Sequence, residues 1–292
     1  MSPRARTSFV IASRNRRPEL SAVVDRLLDT TGCPVIVVDN ASQDDSVAVL
    51  RRIAARAGGR LTVIDLPNNA GAVARNVGVA ACWTPYVAFC DDDSWWAPQA
   101  VELAETIFDT YPTVALLAAR AVLWPTQRDD PLVSALAGSP LGHDPALPGP
   151  SILGFLAFAS IVRTSAFEAV GGFSSILHFR GEEQLLAWDL AAAGWNLCFC
   201  PALVAYHQPS EQRPAGAVAR ARNLRNATLS AWLRRPPGRC AAATVALARA
   251  AFGDVEHARA LREAIAAVPA VLRARHRLPD AVERSIRVLE RC

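Results

Sequence analysis

Three consecutive carboxylates, Asp91, Asp92 and Asp93, directly follow the apolar run Tyr86–Cys90. The run predicts a buried strand, and ligands of α/β proteins bind in the crevice beyond the carboxyl ends of strands. Adjacent carboxylates repel one another unless water or a cation offsets their charge. Such oxygen ligands suit Mg²⁺ or Mn²⁺, and Mg²⁺ is usually held by one or two carboxylates and by substrate phosphates. The triplet therefore predicts a metal site that holds a phosphorylated substrate; a solvated acidic turn is the alternative.

Strand and helix signals alternate from residue 7 to residue 90. Buried strands are predicted at 7–12, 34–39, 61–66 and 86–90, separated by helices at 18–28, 42–53 and 72–81. Pro18 suits the first position of its helix, and Ser42 is predicted to cap the next one. This alternation is typical of a parallel, doubly wound sheet, which would bring the polar strand ends to one edge.

The rest of the chain predicts more of the sheet and then a helical extension. The segments are a helix at 98–110, apolar segments at 114–122 and 152–162 on either side of a loop at 125–150, a short helix capped by Thr164, a helix from Gly181 to Gly194, and two short strands at 195–200 and 203–207. Four further helices are predicted at 214–234, 240–252, 255–275 and 279–291. These signals divide the chain into an α/β domain at 1–210 and an Arg-rich helical extension at 211–292.

Charge is distributed unevenly between these two parts. Residues 1–210 carry 15 basic and 20 acidic side chains, whereas residues 211–292 carry 16 basic and 7 acidic ones. Every basic residue is Arg. The basic extension predicts an anionic partner, either a pyrophosphate or a lipid surface, and no nucleic acid is expected.

Composition favours a folded protein of the cytoplasm. Hydrophobic residues make up 51% of the chain, which is ample for a core. No apolar run approaches the roughly 18 to 20 uncharged residues of a membrane-spanning helix, and residues 1–6 lead directly into a strand instead of a signal peptide. The seven cysteines lack CxxC spacing, so reduced structural thiols are predicted over disulfides or zinc ligands.

The polar motifs occur in a recognisable order. They are Ser-Arg-Asn-Arg after the first strand, Val-Asp-Asn-Ala-Ser at the second, Asn-Asn-Ala-Gly with Ala-Arg-Asn, the Asp triplet, Gly-Gly-Phe, Gly-Glu-Glu and a late Tyr-His. This order resembles the inverting family 2 glycosyltransferases of GT-A fold, bacterial members included, over about residues 7–210. The resemblance implies a mostly parallel, doubly wound sheet flanked by helices, and transfer of a hexose from a nucleoside diphosphate sugar to an acceptor hydroxyl.

The resemblance also implies which residues contact the nucleotide. Ala12, Ser13 and Asn15 lie in the loop that surrounds the base in this family. Asp39 corresponds to the carboxylate that accepts hydrogen bonds from the base or ribose, with an ordinary loop acid as the alternative.

A second segment is implied to contact the donor. It contains Asn69, Gly71 and Arg75, of which Gly71 would allow close backbone approach. Arg75 has an alternative role as a buried structural cation paired with an acid of the triplet.

Within the triplet, the resemblance to the family's Asp-x-Asp motif makes Asp93 the first metal ligand. Asp91 is then expected to contact the ribose, or the metal through water, and Asp92 the donor. The divalent cation, Mg²⁺ or Mn²⁺, would neutralise charge on the departing nucleoside diphosphate.

An acidic pair, Glu182 and Glu183, stands where the family keeps its general base. The base removes the proton of the acceptor hydroxyl as that oxygen attacks the anomeric carbon from the face opposite the diphosphate. The family often has Asp second, so the choice between Glu183 and Glu182 stays open, with Glu183 preferred. Favourable electrostatics at a helix N-terminus is the structural alternative.

Five further residues are given roles through their place in the pattern. His207 is a candidate metal or phosphate contact, with a structural role equally open. Arg222 and Arg225 are candidates for the pyrophosphate, or else part of a solvated helix face. Trp95 and Trp96 would stack against a sugar or pack the loop.

Other functions and partners remain open at this level. A sugar nucleotidyltransferase is disfavoured because no Gly-rich phosphate loop follows the first strand, and the joint presence of Asp91, Asp93 and the acidic pair disfavours a non-catalytic sugar-binding protein of the same fold. The donor would be a UDP-, dTDP- or GDP-sugar, and the acceptor a glycan of the cell envelope, a lipid-linked sugar or a small molecule. Apolar and Arg residues of 240–292 would contact the inner face of the plasma membrane, form a homodimer or pack on the catalytic domain.

Overall fold

The computed structural model describes residues 5–209 and 216–291. Its strands are β1 (Thr7–Ser13), β2 (Val35–Asp39), β3 (Leu61–Asp65), β4 (Tyr86–Cys90), β5 (Ser94–Trp96), β6 (Val114–Leu123), β7 (Arg128–Asp129), β8 (Ser160–Arg163) and β9 (Asn196–His207). They form one sheet in the order β3-β2-β1-β4-β8-β6-β9-β5, with β7 paired to β6.

Helices cover the sheet and continue beyond it. They are α1 (Arg17–Thr30), α2 (Ser46–Arg56), α3 (Val73–Ala80), α4 (Ala100–Thr110), α5 (Pro131–Ala137), α6 (Thr164–Ala169), α7 (Glu182–Ala192), α8 (Gly216–Arg234), α9 (Pro237–Ala251), α10 (Val255–Ala274) and α11 (Asp280–Leu289). Helix α1 has Pro18 in its first turn, as predicted, and buries an apolar stripe against the sheet.

The first half of the sheet is parallel. Strand β1 pairs in parallel with β2 and with β4, and β2 pairs in parallel with β3. All residues of β2 and β4 are buried, which explains their uninterrupted apolar sequences. The α/β prediction is therefore confirmed here, and the carboxyl ends of β1, β2 and β4 lie side by side.

The second half makes the sheet mixed. Strand β8 pairs antiparallel with both β4 and β6, whereas β9 runs parallel to β6 and antiparallel to β5. The prediction of two strands at 195–200 and 203–207 was wrong, because β9 is one strand from Asn196 to His207 with a register shift opposite Ala119 and Arg120. Pro201 lies on the exposed part of β9 at this shift, where a missing N–H is tolerated.

Three local predictions were also wrong. The cap of α2 is Asp45, not Ser42, whose Oγ instead accepts a hydrogen bond from the backbone N–H of Asn15 at 2.9 Å. The segment 125–150 is not a continuous loop, because it contains β7 and α5. Asp130 caps α5 by accepting a hydrogen bond from the Leu132 N–H. Similarly, Arg163, not Thr164, stands at the cap position of α6.

The C-terminal helices pack on the rest of the chain through a second apolar cluster. The cluster joins Leu153, Leu177, Leu185 and Trp188 to residues of α8, α9, α10 and α11. The Arg235 guanidinium at the end of α8 is buried and donates hydrogen bonds to Glu283 and to Glu290, each with a shortest distance of 2.7 Å. Packing on the preceding part of the chain therefore accounts for much of the apolar surface of these helices.

Some features bear on membrane contact and on the thiols. Within residues 5–209 and 216–291, no helix has the length and apolar character needed to cross a membrane. Phe252, between α9 and α10, is nevertheless 93% exposed. The six cysteines of these residues are free, while Cys292 lies outside them.

Candidate active site

The acidic triplet lies where parallel strands end. In the register of the sheet Ser13 is opposite Asp39 on β2, and β4 ends beside β1 one residue before Asp91. The Ser13 hydroxyl donates a hydrogen bond of 2.7 Å to Asp92. Sheet topology therefore brings predicted nucleotide and metal residues to one edge, as expected.

Arg16 offsets the charge on one side of the triplet. Its Nε lies 3.2 Å from Asp92 and its Nη2 lies 3.5 Å from Asp93. Burial raises the pKa of Asp92 to about 6, an effect that the Ser13 hydrogen bond and the Arg16 charge only partly oppose. Sequence reasoning gave Arg16 no role, although a cation in the loop after β1 faces any acid that follows the neighbouring strand.

Arg75 offsets the charge on the other side. Its Nη2 donates a 2.6 Å hydrogen bond to Asp91, and its Nη1 lies 4.0 Å from Oε1 of Glu182. The guanidinium is buried, and its Nε has no hydrogen-bond partner. The alternative of a buried cation paired with the triplet thus describes Arg75, which also links the triplet to the second acidic group.

Glu182 and Glu183 begin α7 directly after Gly181, which occupies the cap position with φ of 77°. Glu182 is only 1% exposed, and its Oε2 has no hydrogen-bond partner. Burial raises the pKa of both carboxyl groups, and the neighbouring Glu182 helps raise that of Glu183 to about 7. A carboxylate with a pKa near neutrality suits a general base.

Asp93 and His207 form the candidate metal-binding site. Pairing of β5 with β9 places Ser94 opposite His207, so that His207 Nε2 lies 3.3 Å from Asp93 Oδ1. Two ligand atoms at right angles around an ion, each about 2.1 Å away, lie about 3.0 Å apart. This donor pair therefore fits Mg²⁺ or Mn²⁺.

Further ligands would come from elsewhere. Among residues 5–209 and 216–291, no three His, Cys, Asp or Glu side chains gather into a metal-holding group. Asp91, the other predicted ligand, is engaged by Arg75. Water and donor phosphates would therefore complete the coordination. The Phe158 ring, 4.4 Å from the His207 ring, fixes the imidazole position.

The predicted nucleotide residues line the adjoining strand ends. Asp39 is buried, and its Oδ2 accepts a 2.8 Å hydrogen bond from the Ser42 N–H, while its Oδ1 has no partner. Asn15 has a left-handed φ of 55° and accepts a hydrogen bond from the Gln43 N–H. Ala12 is half-buried on β1. Asp39 thus keeps one carboxylate oxygen as an acceptor.

The Asn69–Gly71 segment contacts the loop before α7. Gly71 has a φ of 61°, and a Cβ added there would lie 2.1 Å from the carbonyl oxygen of His178. That carbonyl accepts a 2.6 Å hydrogen bond from the Ala72 N–H. The need for glycine at position 71 therefore comes from the backbone of His178, which sequence reasoning missed, and the predicted approach of Gly71 to the donor stays a prediction.

Asn40 supports the same segment. Its Nδ2 donates to the Gly71 carbonyl at 3.1 Å, and its Oδ1 accepts from the Ala70 N–H at 2.7 Å. Asn69 Oδ1 also accepts from the Gly71 N–H. The only sequence signal for Asn40 was its position directly after Asp39.

The two tryptophans differ in their surroundings. Trp96 is buried and donates a 3.0 Å hydrogen bond to the Phe89 carbonyl, which matches the packing alternative. Trp95 packs against Tyr206 and beneath the Arg26 guanidinium, 3.9 Å from its ring centre. It lines a cavity of about 620 Å³ that also borders Asp93.

Arg222 and Arg225 lie on α8 near the His178 loop. Burial lowers the pKa of His178, and the charges of both arginines act in the same direction, which places them close to it. Arg225 is partly neutralised by Glu263 at 3.4 Å. The charges of both arginines therefore act on the loop that precedes the acidic pair.

Comparison with known proteins agrees with this arrangement. The family described as Glycosyl transferase family 2 matches residues 8–170. The pre-mycofactocin glycosyltransferase of Mycobacterium tuberculosis is 36% identical over 222 residues, which cover 70% of this chain and 43% of that protein. The chain thus spans less than half the length of the curated relatives it matches.

Solved structures share the fold at low identity. The mannosyltransferase PcManGT from Pyrobaculum calidifontis, solved with GDP-Man and Mn²⁺, aligns with a TM-score of 0.62 and 20% identity over 98% of this chain and 80% of that one. The S. aureus TarS fragment in complex with UDP-GlcNAc aligns with a TM-score of 0.59 and 15% identity over 96% and 84%.

The mixed sheet with its flanking helices has the GT-A fold of these solved structures. Because the family match covers more than half of its residues, the chain belongs to glycosyltransferase family 2. The family and the fold class predicted from the motifs are therefore confirmed.

Proposed function

We propose that this chain is a metal-dependent, inverting hexosyltransferase that moves a sugar from a nucleoside diphosphate to an acceptor hydroxyl. The observation that carries the proposal is the linkage of the two acidic groups through buried Arg75, which contacts Asp91 and approaches Glu182. One group faces the leaving diphosphate and the other the nucleophile. The division at about residue 210 then separates a catalytic domain from a helical extension whose first helix, α8, also borders the site.

The donor, a UDP-, dTDP- or GDP-sugar, would lie along the ends of β1 and β2. Asp39 Oδ1 would accept from the base or ribose, with Ser13 and Asn15 beside it. Asn69 and the backbone at Gly71 would contact the donor from the next segment. Arg222 and Arg225, on α8, would add positive charge for the diphosphate.

Asp93 and His207 would hold the divalent cation, with Asp91 reached through water. When bound, Mg²⁺ or Mn²⁺ supplies Lewis-acid stabilisation of negative charge on the diphosphate. Asp92, held by Ser13 and Arg16, would contact the donor sugar or ribose and keep the Asp93 loop in place.

Glu183 would serve as the general base, with Glu182 as the adjacent candidate. The acceptor oxygen forms a bond to the anomeric carbon while the bond from that carbon to the diphosphate oxygen breaks. The acceptor's proton passes to the Glu183 carboxylate, and the electron pair leaves with the diphosphate. Attack opposite the leaving group inverts the configuration. The raised pKa of Glu183, about 7, makes it a stronger proton acceptor than a solvated glutamate.

A panel of nucleotide sugars tests this function. The wild-type protein with Mn²⁺ should hydrolyse or transfer from at least one donor and gain thermal stability with it. Glu183→Gln should abolish turnover and keep donor-induced stabilisation, whereas the matched change at exposed Glu168, Glu168→Gln, should leave turnover unchanged. Failure of every donor with metal present would refute the proposal in favour of a non-catalytic sugar-binding protein.

We also propose that the enzyme works in the cytoplasm, peripherally on the inner face of the plasma membrane, where it would meet a lipid-linked acceptor. An outer face of α10 is exposed and mixes apolar with basic side chains. These are Val255, Ile265 and Leu272 with Arg259, Arg262 and Arg273. Anionic lipid complements this face, whereas a second copy related by a two-fold axis would place arginine against arginine.

Vesicle sedimentation separates these partners. The full chain should pellet with anionic vesicles and remain in solution with neutral ones, and the double variant Phe252→Ser, Leu272→Ser should lose binding. Leu103→Ser, which changes an exposed leucine on α4, is the control. Equal sedimentation of all three proteins would exclude the membrane role, and a concentration-dependent dimer lost in the double variant would favour self-association.

A further inference from the structure

The loop that precedes the acidic pair has an unusual backbone. His178 has a φ of 64° and Arg180 a φ of 78°, and Gly181 follows with 77°. Residues other than glycine adopt this left-handed region rarely, so surrounding contacts must hold it in place. Glu182 begins directly after this loop, and its direction therefore depends on what fixes residues 177–181.

A single side chain from α8 fixes the loop on one side. The two N–H groups of Asn226 Nδ2 are shared among the carbonyls of Leu177, Phe179 and Arg180, whose oxygens lie 3.1, 2.8 and 2.7 Å from that nitrogen. Asn226 is 1% exposed, and its Oδ1 accepts a hydrogen bond from Arg225. A buried amide in this position satisfies carbonyls that no regular secondary structure satisfies.

The opposite side of the loop contacts the proposed donor segment. The His178 carbonyl accepts a hydrogen bond from the Ala72 N–H, and its oxygen approaches Gly71 so closely that no Cβ would fit there. The loop is thus held between α8 and the Asn69–Gly71 segment. A shift on the α8 side would be passed to both the acidic pair and the donor segment.

We infer that Asn226 is a positioning residue for the proposed general base. It holds residues 177–181 so that Glu182 and Glu183 face Arg75 and the acidic triplet, which makes α8 an integral part of the active site. Its effect on turnover rests on the proposed function; its effect on the loop does not. Asn226→Asp would oppose three carbonyl oxygens with a carboxylate. Asn226→Ala would remove the amide donor from all three carbonyls and leave the Leu177 carbonyl with only its 2.8 Å hydrogen bond from the Phe179 N–H.

Hydrogen exchange of the full chain tests the positioning directly. Asn226→Ala should raise exchange of amides 177–183 and of the Ala72 amide by roughly 10-fold or more, since local opening becomes easier. Asn226→Ser, which retains one small donor, should give an intermediate change and covers the case in which the alanine variant fails to fold. The control Asn223→Ala, on the same helix, removes only a 3.5 Å contact with the Arg180 side chain and should leave both segments as in the wild type.

Kinetics test the consequence for catalysis. Asn226→Ala and Asn226→Asp should lower kcat about 10- to 100-fold with little change in the donor KM, because a misplaced base loses its reactive geometry. Unchanged exchange in both segments, or an unchanged kcat despite faster exchange, would overturn the inference. If exchange responds as expected while Glu183→Gln keeps full turnover, the assignment of the base fails and the positioning of the loop stands.

Discussion

Replacing Arg75 by methionine would test the link between the two acidic groups. Arg75 is buried, contacts Asp91 at 2.6 Å and lies 4.0 Å from Glu182. Its charge lowers the pKa of both Glu182 and Glu183 and thereby limits the increase that burial causes. Methionine retains much of the volume and removes the charge, so the pKa of the pair should rise further.

The size of the change follows from the distance. Opposite charges 4 Å apart interact by about 4 kcal/mol at an effective dielectric constant of about 20, and an opposite charge at this range typically moves a pKa by about 1–3 units. Because Arg75 lowers the pKa of both glutamates and Glu182 in turn acts on Glu183, the apparent pKa of the acidic pair should rise from about 7 to about 8 or above. At pH 7 kcat should fall roughly 5-fold or more and recover as the pH is raised. Removing one partner of a buried ion pair typically lowers the free energy of unfolding by about 3–5 kcal/mol. We expect about 3 kcal/mol here, because the Asp91 side chain is 33% exposed.

The assay is the pH dependence of kcat, measured beside urea unfolding. Arg75→Lys keeps the charge and should retain most of the wild-type pH profile. Arg51→Met removes an exposed ion pair with Asp65 and should change neither the profile nor stability by more than about 1 kcal/mol. If kcat of Arg75→Met rose with pH over the same range as kcat of the wild type, the idea that Arg75 lowers the pKa of the base would be refuted.

Three further predictions concern stability and are measured by urea unfolding. Gly71→Ala should lower the free energy of unfolding by more than about 1 kcal/mol, because its Cβ would clash with the His178 carbonyl. Gly59→Ala should lower it by less, because position 59 has open space and only its positive φ disfavours alanine. Equal losses of stability in the two variants would contradict this prediction. The pKa of Glu183 is raised in the folded state, so the folded wild type binds the extra proton and loses stability as the pH rises from about 4.5 through 7. Glu183→Gln should therefore be the more stable protein above pH 7, by roughly 3 kcal/mol at most, and the gain should vanish below pH 4. Arg235→Met should cost about 3–5 kcal/mol, because two glutamates lose a buried partner, and a loss below about 1 kcal/mol would refute that role.

The sequence predicted the parts of the site that depend on where strands end. Asp39 and the triplet follow buried apolar runs, and parallel pairing alone brings such residues to one edge. Their proximity therefore required only the order of strands and helices. The contact of Asp93 with His207 was harder, because it depends on β9 pairing with β5 at the far edge of the sheet.

Apart from Arg75, residues that act through tertiary contacts were not predicted. Arg16, Asn40 and Asn226 owe their roles to partners many residues away, and each is an ordinary loop or helix residue by composition. His178 contributes a backbone carbonyl, which has no sequence signature. Periodicity describes a residue's own element, whereas these roles depend on how elements pack.

Some predicted boundaries of strands and helices were wrong for identifiable physical reasons. Two strands were predicted in place of β9, whereas the register shift of β9 accommodates Pro201 within one strand. In the segment 125–150, Asp130 followed by Pro131 carried the signature of a helix start, and the helix was missed because it spans only 7 residues. Short elements bury too few apolar residues to show a period.

The position of β9 in the sheet also constrains how the protein is made. Strands β1 to β4 can pair with one another as soon as β4 has been synthesised. Strands β5 and β6 both pair with β9, so that part of the sheet forms only after residues 196–207 have been synthesised. Such distant pairing is slow to form, and the waiting strand edges invite association between nascent chains. A fragment that ends before residue 196 should aggregate. A fragment that remains in solution and keeps the proposed active site should extend through α8, which supplies Asn226.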